Sequence, residues 1–407
     1  MALHVVNEAR RCLMCKNPAC KAGCPIETEI PQMIDLFLNG HLDQAGEMLF
    51  ENNPLSIVCS LICDHEKQCE GHCILNRKGM PVHISSIEHY ISSAFLERYT
   101  PVKAPKNNSK VAIIGSGPAG ITIATNLAQR GYDITIFDSR ERIGGVMQYG
   151  IPDFRLPKSI LERYRRLLIA IGVHIRPNTT IGGALSVDDL FRDGFKSVFI
   201  GTGVWRPNSL HIKGESLGNV HFAIDYLTNS DSYDLGDEVA IIGVGNSAID
   251  AARTVIRKGS RCVTVYGRRK SPSTSHREIE YAKIDGVKFM YGYIPVELTA
   301  EGPIMETVEY DENGIMHEVT DSRKLYHSDS IIIAIGQGPK DKIVNSTKGI
   351  EVDNRGLVVT NECGSTSRMG VFASGDVVKG AKTVVEAVKY SKRVADAMDV
   401  YMKDGSF

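Results

Sequence analysis

Eight of the ten cysteines lie within a short N-terminal stretch, from Cys12 to Cys73. They form two groups, with the sequences CLMCKNPACKAGCP and CSLICDHEKQCEGHC. Thiolates at such spacings bind iron–sulfur clusters or zinc, or they pair as disulfides. The proline after the fourth cysteine is typical of cluster motifs, in which that cysteine commonly ligates a second cluster.

Zinc and disulfides are the alternatives to clusters. Four-cysteine zinc sites usually contain paired C-x2-C motifs, and only Cys12 and Cys15 have that spacing. A protein stabilised by disulfides would have cysteines throughout the chain, yet the remaining sequence contains only Cys262 and Cys363. Iron–sulfur clusters are therefore favoured. Spacing alone would make all eight cysteines ligands, with Cys59 as the eighth.

A glycine-rich loop follows an apolar strand that begins at Lys110. Its first glycine permits a tight turn, the second admits a pyrophosphate, and the third allows the next helix to pack closely. The pyrophosphate lies at the N-terminus of that helix. The following strand ends in an acid, which is placed to accept hydrogen bonds from a ribose. We therefore predict a dinucleotide site at Gly115, Gly117, Pro118, Ala119, Gly120 and Asp138.

The same strand–loop–helix pattern occurs a second time. Alanine replaces the third glycine, a substitution that this fingerprint allows. The predicted binding residues of the second loop are Gly243, Gly245, Asn246, Ser247 and Ala248.

The second unit differs from the first at the end of its second strand. Arg268 and Arg269 stand there in place of an acid, and Arg277 follows after a short loop. Arginines bind a 2′-phosphate through paired hydrogen bonds, whereas an acid would repel it. The second site is therefore predicted to prefer NADP(H) over NAD(H). The alternative is that these arginines form a solvated basic edge.

These motifs divide the chain into domains. Apolar periodicity predicts helices that begin near Ile30, Leu42 and Ile84, around the cysteines. The polar stretch 100–110 is a predicted linker. A short apolar strand before Gly375 suggests that the first dinucleotide domain resumes after the second is inserted. The predicted domains are 1–106, a helical domain with two clusters; 107–215 with 331–407, the first dinucleotide domain; and 216–330, the second.

The overall composition excludes several classes of partner. The 407 residues include 47 basic and 48 acidic side chains, so no excess charge indicates nucleic acid or an anionic membrane. We find no apolar run of about 18 residues and no signal-peptide pattern at the N-terminus. A cytoplasmic protein with no membrane or nucleic-acid partner is expected.

From about Val111 to Met398 the chain resembles the flavoprotein disulfide reductase superfamily. The motifs are VAIIGSGPAG, a Gly-Gly pair, FASGD and TVVEAV. The resemblance implies an α/β fold with FAD in the first Rossmann-like domain and NAD(P)H in the inserted second one. It also implies FAD contacts at Gly144, Gly145, Val146, Arg155, Gly375, Asp376 and Thr383.

The N-terminal part resembles the iron–sulfur domain of the glutamate synthase small subunit. It also resembles the NADPH half of the bifurcating transhydrogenase and the N-terminal part of dihydropyrimidine dehydrogenase. The resemblance rests on the cysteine spacings, GMPVHISSIEHYI and MQYGIPDFRLPK. It implies one [4Fe–4S] cluster at Cys12, Cys15, Cys20 and Cys73. It implies a second [4Fe–4S] cluster at Cys24, Cys63, Cys69 and Glu88, which leaves Cys59 spare.

Together these resemblances predict an electron relay. NADPH would reduce FAD, and single electrons would pass through two [4Fe–4S] clusters to a separate subunit in a hetero-oligomer. No catalytic side chain is expected, because the cofactors carry the chemistry. A (β/α)8 substrate barrel needs about 250 residues, so the substrate site is expected on another polypeptide.

Three other functions are alternatives to this electron relay. One is a non-catalytic redox sensor, and another is reverse flow that reduces NADP with ferredoxin. A disulfide reductase is disfavoured, because Cys262 and Cys363 are distant in sequence and do not form a redox pair motif.

Overall fold

The computed structural model describes residues 2–101, 103–269, 274–311, 316–319, 322–340 and 342–404. The chain divides into two compact units. The first comprises Met1–Gln148, Asp153–Val204 and Gly338–Phe407, and the second comprises Tyr149–Pro152 and Trp205–Gln337. This division does not separate the cysteine-bearing segment from the first dinucleotide domain, so the predicted domain boundaries remain predictions.

The cysteine-bearing segment is helical, as its apolar periodicity predicts. Its elements are α1 (Ala2–Ala9), α2 (Ala19–Gly23), α3 (Ile30–Leu38), α4 (Leu42–Asn52), α5 (Ser56–Ile62), a 3₁₀ turn (Ile74–Lys78) and α6 (Ile84–Arg98). Met33, Ile34 and Ile87 are fully buried where the apolar faces of these helices meet. Most of the cysteines lie at helix ends or in the turns between helices, which leaves their side chains free to converge.

The first dinucleotide-binding region begins with a buried strand. Its elements are β1 (Lys110–Ile114), α7 (Pro118–Ala128), β2 (Asp133–Phe137), α8 (Val146–Tyr149), α9 (Lys158–Ala170), β3 (His174–Arg176), α10 (Val187–Arg192) and β4 (Phe195–Ile200). The apolar run of β1 is buried on both faces, as expected of a central parallel strand covered by helices. Val111 pairs in parallel with Ile134 of β2, and α7 connects the two strands.

The second unit contains two larger sheets and one pair of short strands. The elements from its second segment onward are β5 (Arg206–Pro207), β6 (Val220–Phe222), α11 (Ala223–Thr228), a 3₁₀ turn (Ser230–Ser232), β7 (Glu238–Ile242), α12 (Asn246–Arg257), β8 (Cys262–Gly267), α13 (His276–Ile284), β9 (Lys288–Tyr291), β10 (Tyr293–Thr299), β11 (Gly302–Tyr310), β12 (Met316–Glu318), β13 (Lys324–Leu325), β14 (Ser330–Ile333) and β15 (Gln337–Gly338).

One sheet of this unit is parallel, with the order β6–β14–β7–β8–β9. The other is antiparallel, and in it β11 pairs with β10, β12 and β13. The antiparallel sheet was not predicted from the sequence, because β12 and β13 are too short to show a pattern without their pairing partners. In addition, the short strands β5 and β15 pair with each other.

After the second unit, the chain returns to the first sheet. The returning elements are α14 (Lys342–Ser346), β16 (Val371–Ala373), α15 (Asp376–Lys379) and α16 (Val384–Asp404). The completed sheet has the parallel order β16–β4–β1–β2–β3. Each glycine loop follows the strand at which the strand order reverses, β1 in one sheet and β7 in the other. Ligands of doubly wound sheets bind at this point.

Helix α16 is the longest described helix, with 21 residues. It packs against α7 and buries Val388, Val394 and Met398. No helix among the described residues, α16 included, combines the length and the apolar character needed to cross a membrane.

Candidate cofactor sites

The first glycine loop joins β1 to α7. Gly115 has a φ of 100°, and a Cβ there would lie 2.5 Å from the carbonyl oxygen of Gly201. A Cβ at Gly120 would overlap the carbonyl oxygen of Gly115, so this glycine lets α7 approach the loop. Gly117 is the N-cap of α7, and its Cβ would meet only the Cα of Gly145, at 3.9 Å, among the described residues. The space beside Gly117 is therefore open to a pyrophosphate.

Alanine substitutions are expected to distinguish Gly120, which lets α7 pack against the loop, from Gly117, which leaves space for the pyrophosphate. Gly120→Ala should lower the melting temperature of the apoprotein, because overpacking against backbone costs about 1–3 kcal/mol and outweighs the gain in helix propensity. Gly117→Ala should leave that temperature unchanged but weaken FAD binding by about tenfold or more, roughly 1.4 kcal/mol. Calorimetry of the apoprotein and FAD titration would measure both. Equal melting temperatures for the two variants would contradict the assignment.

Two later segments converge on this loop. A Cβ at Gly145 would lie 2.8 Å from the Cα of Gly117, and the N–H of Gly144 donates to the carbonyl oxygen of Ser116 at 2.9 Å. A Cβ at Gly375, where φ is 77°, would lie 3.1 Å from the Cβ of Ala119. The structure thus brings together residues that are up to 260 positions apart in the sequence.

Asp138 is already hydrogen-bonded to the protein. Its carboxylate accepts the N–H of Ser116 at 2.8 Å, the hydroxyl of Ser116, and the N–H of Arg140 at 2.9 Å. Any ribose would share this carboxylate with the loop, so the predicted role of Asp138 remains a prediction. Ser116, which connects the acid after β2 to the glycine loop, was not among the predicted residues.

Asp376 and Thr383 precede α16. Burial raises the pKa of Asp376 to about 6, although the N–H of Lys382 donates to its carboxylate at 3.2 Å. The hydroxyl of Thr383 donates to Glu386 at 2.6 Å and accepts the N–H of Glu386 at 3.3 Å. Thr383 therefore serves in a capping box of α16, and its FAD contact stays a prediction.

The other predicted FAD residues lie along the same segments. Pro118 occupies the first turn of α7, where its missing N–H costs nothing. Val146 begins α8 directly after the Gly-Gly pair, and Arg155 lies between α8 and α9.

The second glycine loop joins β7 to α12. Gly243 has a φ of 126°, and a Cβ there would overlap the carbonyl oxygen of Ala334. Gly245 is the N-cap of α12, and its Cβ would find no described atom within 4 Å. Ala248, at the third position, is fully buried. The backbone around Gly245 therefore has the same open approach as the first loop.

Arg268 and Arg269 follow β8 at the same edge of the sheet. A Cβ at Gly267, the last residue of β8, would lie 2.5 Å from Cγ1 of Val244 in the glycine loop. Both arginines are exposed. Positive charge therefore lies next to the second loop.

Helix α13 contributes the third arginine. Asn246 and Ser247 begin α12, and Asn246 accepts a hydrogen bond from the hydroxyl of Thr274 just before α13. Arg277 lies in the first turn of α13, where its guanidinium donates to the hydroxyl of Tyr281 at 2.9 Å. Residues 270–273, between the arginines, lie outside the described residues.

The first cysteine set lines one cavity. Cys12, Cys15, Cys20 and Cys73 share it with apolar side chains such as Ile34. Burial raises the pKa of Cys20 to about 11 and also raises that of Cys12. Sulfur donors around an apolar cavity fit a [4Fe–4S] cluster, in which each cysteine binds a separate iron. No three potential ligands in the described part of the chain are arranged to bind a single metal ion.

The second set lies around Glu88. Burial and the Glu88 carboxylate raise the pKa of Cys69, and Cys24 contributes as well. A hydrogen bond with Cys59 and burial raise the pKa of Cys63, and Glu88 and Cys69 add to this. These mutual effects place the predicted ligands near one another, with Cys59 beside them.

Glu88 is unusual because it is buried without a partner. Its residue is 9% exposed, and its carboxylate has no hydrogen bond or ion pair with the described residues. Burial, with a contribution from Glu70, raises the pKa of Glu88 to about 8. Glu70 itself accepts the N–H and the hydroxyl of Ser85, at 2.9 and 2.6 Å.

The remaining cysteines are separate from these sites. Cys262 begins β8, and Cys363 lies exposed in a turn before β16. All ten cysteines belong to the described residues, and none forms a disulfide.

Two protein families match the sequence. The family described as pyridine nucleotide-disulphide oxidoreductase matches residues 109–391. The family described as dihydropyrimidine dehydrogenase domain II, 4Fe-4S cluster, matches residues 2–100. The matches confirm an iron–sulfur domain and FAD and NAD(P)H as cofactors. The number of clusters remains a prediction.

Curated relatives match over nearly the whole chain. The glutamate synthase [NADPH] small chain of Halomonas elongata is 33% identical over 426 residues, which cover 97% of this chain and 90% of the relative. The NAD-dependent dihydropyrimidine dehydrogenase subunit PreT of Escherichia coli is 30% identical over 412 residues, which cover 99% and 95%.

Solved structures confirm the predicted fold class. FprA from Mycobacterium tuberculosis, in complex with NADPH, has a TM-score of 0.62 at 16% identity and covers 74% of this chain and 86% of its own. Thioredoxin reductase from T. acidophilum has a TM-score of 0.57 at 21% identity, with coverage of 73% and 98%. At these identities the likeness concerns the fold alone.

Proposed function

The chain belongs to the pyridine nucleotide-disulphide oxidoreductase family, and we propose that it is the NAD(P)H-oxidising subunit of a larger electron-transfer enzyme. When bound, FAD accepts a hydride and releases electrons singly, which iron–sulfur clusters conduct. The presence in one chain of two glycine loops and a cavity lined by four cysteines supports this proposal. The residues themselves hold and orient these groups.

At the first loop, the open backbone beside Gly117 and the first N–H groups of α7 would hold the pyrophosphate of FAD. Asp138 and Ser116 hold the loop against β2 through their hydrogen bonds. The neighbouring Gly145 and Gly375 would leave room for the rest of the cofactor, because neither has a side chain to fill that space.

At the second loop, the arginine edge supports NADPH as the preferred electron donor. Arg268 and Arg269 lie where a 2′-phosphate would need positive charge. The relatives differ on this point, since the printed names specify NADPH for the glutamate synthase chain and NAD for PreT. The choice therefore depends on the residues of this chain.

For the second cluster, burial supports Glu88 over Cys59 as the fourth ligand. A buried carboxyl group without a hydrogen-bonding partner is costly whether or not it is protonated, and a bound iron would supply the missing partner. A neutral thiol is an ordinary buried side chain, so Cys59 needs no ligand to explain its position. Two clusters would then be held by seven cysteines and one glutamate.

Helix α9 links the first glycine-loop region to the second ligand set. A Cβ at Gly144 would lie 2.9 Å from Cδ1 of Leu161, which is a residue of α9. One turn further, the buried hydroxyl of Tyr164 donates to the carbonyl oxygen of Pro54 at 2.7 Å. Burial raises the pKa of Tyr164, and Cys59 and Glu88 raise it further, so this side chain lies close to the second set. We infer that α9 sets the distance between flavin and cluster.

A separate polypeptide would accept the electrons. The relatives are named a small chain and a subunit, which supports a hetero-oligomer. The substrate site would belong to that partner.

The proposal is tested by anaerobic titration of the purified chain with NADPH, alongside assays of flavin, iron and sulfide. One FAD and two clusters should give about eight iron atoms and take up about four electron equivalents. NADPH should bleach the flavin faster than NADH does. Zinc in place of iron, or a flavin that neither nucleotide bleaches, would overturn the proposal.

A further inference from the structure

We propose that the surface around the first cysteine set is the docking site for an acidic protein that accepts single electrons. This inference rests on the proposed function, because it identifies where electrons leave the chain and what kind of surface receives them.

The centre of this surface is an apolar patch, made of Leu13, Met14, Ile74 and Met80. These side chains belong to residues that are 39–64% exposed. Leu13 and Ile74 also line the cavity of the four cysteines, so they reach from the predicted cluster to the surface. The guanidinium of Arg11 donates to the carbonyl oxygen of Met80 at 2.6 Å, which holds the Met80 segment beside the start of the cysteine motif. Large exposed apolar side chains in one place mark interaction sites.

Exposed basic residues, here called the basic rim, lie beside the apolar patch along the chain. The rim consists of Arg10, Lys16, Arg77 and Lys78, which are all exposed. Their side chains form no hydrogen bond or ion pair with any described residue, so their charge is available to a partner. Arg77 lies three residues after Ile74 in a 3₁₀ turn, where such residues eclipse each other.

The charge of the rim is local. Acidic residues outnumber basic ones over residues 2–100, yet each rim residue lies within four positions of Cys12, Cys15 or a residue of the patch. Residues 9–26 and 71–87, which contain the patch, the rim and the four predicted ligands of the first cluster, include no acidic residue. The segments that carry the predicted cluster are therefore positively charged.

An apolar centre with a charged rim suits a surface at which a partner protein docks. Complementary charge there increases the rate of encounter and the selection of the correct partner more than it increases affinity. A positive rim selects an acidic partner and disfavours a basic one. The apolar patch would exclude water between the partner's redox centre and the cluster.

The test compares two double variants of the complete holoprotein. Arg77→Glu with Lys78→Glu reverses two of the four rim charges and so brings the net charge of the rim to zero. Lys196→Glu with Lys348→Glu makes the same charge change at exposed positions in the FAD-binding region. The probes are flavodoxin, an acidic one-electron acceptor, and cytochrome c, a basic one. Each NADPH, oxidised to NADP⁺ and a proton, reduces two acceptor molecules by one electron each.

We expect the rim variant to reduce flavodoxin at least about tenfold more slowly at low salt, with the difference vanishing at high salt. Its reduction of cytochrome c should rise, and the control variant should match the unmodified chain with both acceptors. Equal rates of flavodoxin reduction in all three proteins would overturn the docking site. Faster reduction of cytochrome c than of flavodoxin by the unmodified chain would overturn it too.

Two further readouts separate this inference from the proposed function. NADPH should still bleach the flavin of the rim variant, and electron paramagnetic resonance should still detect its reduced clusters. If both signals persist while the docking result is negative, only the docking site is wrong. If the unmodified chain shows neither flavin bleaching by NADPH nor the resonance of reduced clusters, the proposed function is refuted instead. Self-association that depends on Met80, seen as a doubled sedimentation mass that Met80→Asp abolishes, would also overturn the docking site.

Discussion

Replacement of Glu88 by alanine is expected to halve the iron content of the chain, whereas Cys59→Ala is expected to leave it unchanged. Glu88 is buried without a hydrogen bond or ion pair among the described residues, which a bound iron would explain. Cys59 is buried as well, but a neutral thiol is stable there. If Glu88 is the fourth ligand, its loss leaves the second cluster with three.

Iron, sulfide and FAD assays on the purified variants would measure this effect. The expected ratio is about four irons per FAD for Glu88→Ala and about eight for Cys59→Ala. Cys24→Ser, at another predicted ligand, should behave like Glu88→Ala. Retention of FAD and an unchanged melting temperature of the FAD-binding region would show that the chain is folded. The opposite result, with iron lost only in Cys59→Ala, would establish eight cysteine ligands.

Replacement of both Arg268 and Arg269 by alanine is expected to raise the KM for NADPH by about 10- to 100-fold. A hydrogen bond to a charged group contributes about 1.5–3 kcal/mol, and the 2′-phosphate would lose several of them. The KM for NADH should stay constant, because NADH has no phosphate at that position. The preference for NADPH would then disappear.

Steady-state kinetics with an artificial electron acceptor would measure both constants. Arg261→Ala is the matched control, since Arg261 is an exposed arginine near the opposite end of β8, 3.5 Å from Asp237. The control should keep the preference of the unmodified chain. Parallel increases of KM for NADPH and NADH would instead indicate that the double variant disturbs the glycine loop and does not contact the phosphate.

The local motifs were predictable from the sequence by itself. At Gly115 and Gly243 the backbone adopts a positive φ between a strand and a helix. Glycine is the residue that adopts this conformation readily, and the requirement is local. The cysteine spacings indicated iron–sulfur chemistry because ligand type and short spacing are also local. Apolar periodicity predicted α3, α4 and α6 for the same reason.

The tertiary structure decided what depends on distant partners. Ser116 proved to hold Asp138, and α9 proved to contact both Gly144 and Pro54, because these contacts form only when separate segments pack. The antiparallel sheet around β11 likewise exists only through pairing. Whether Glu88 is solvated or buried was also undecided in the sequence. A glutamate on a helix is ordinarily exposed, and only the packing of α6 against its neighbours removes its carboxylate from water.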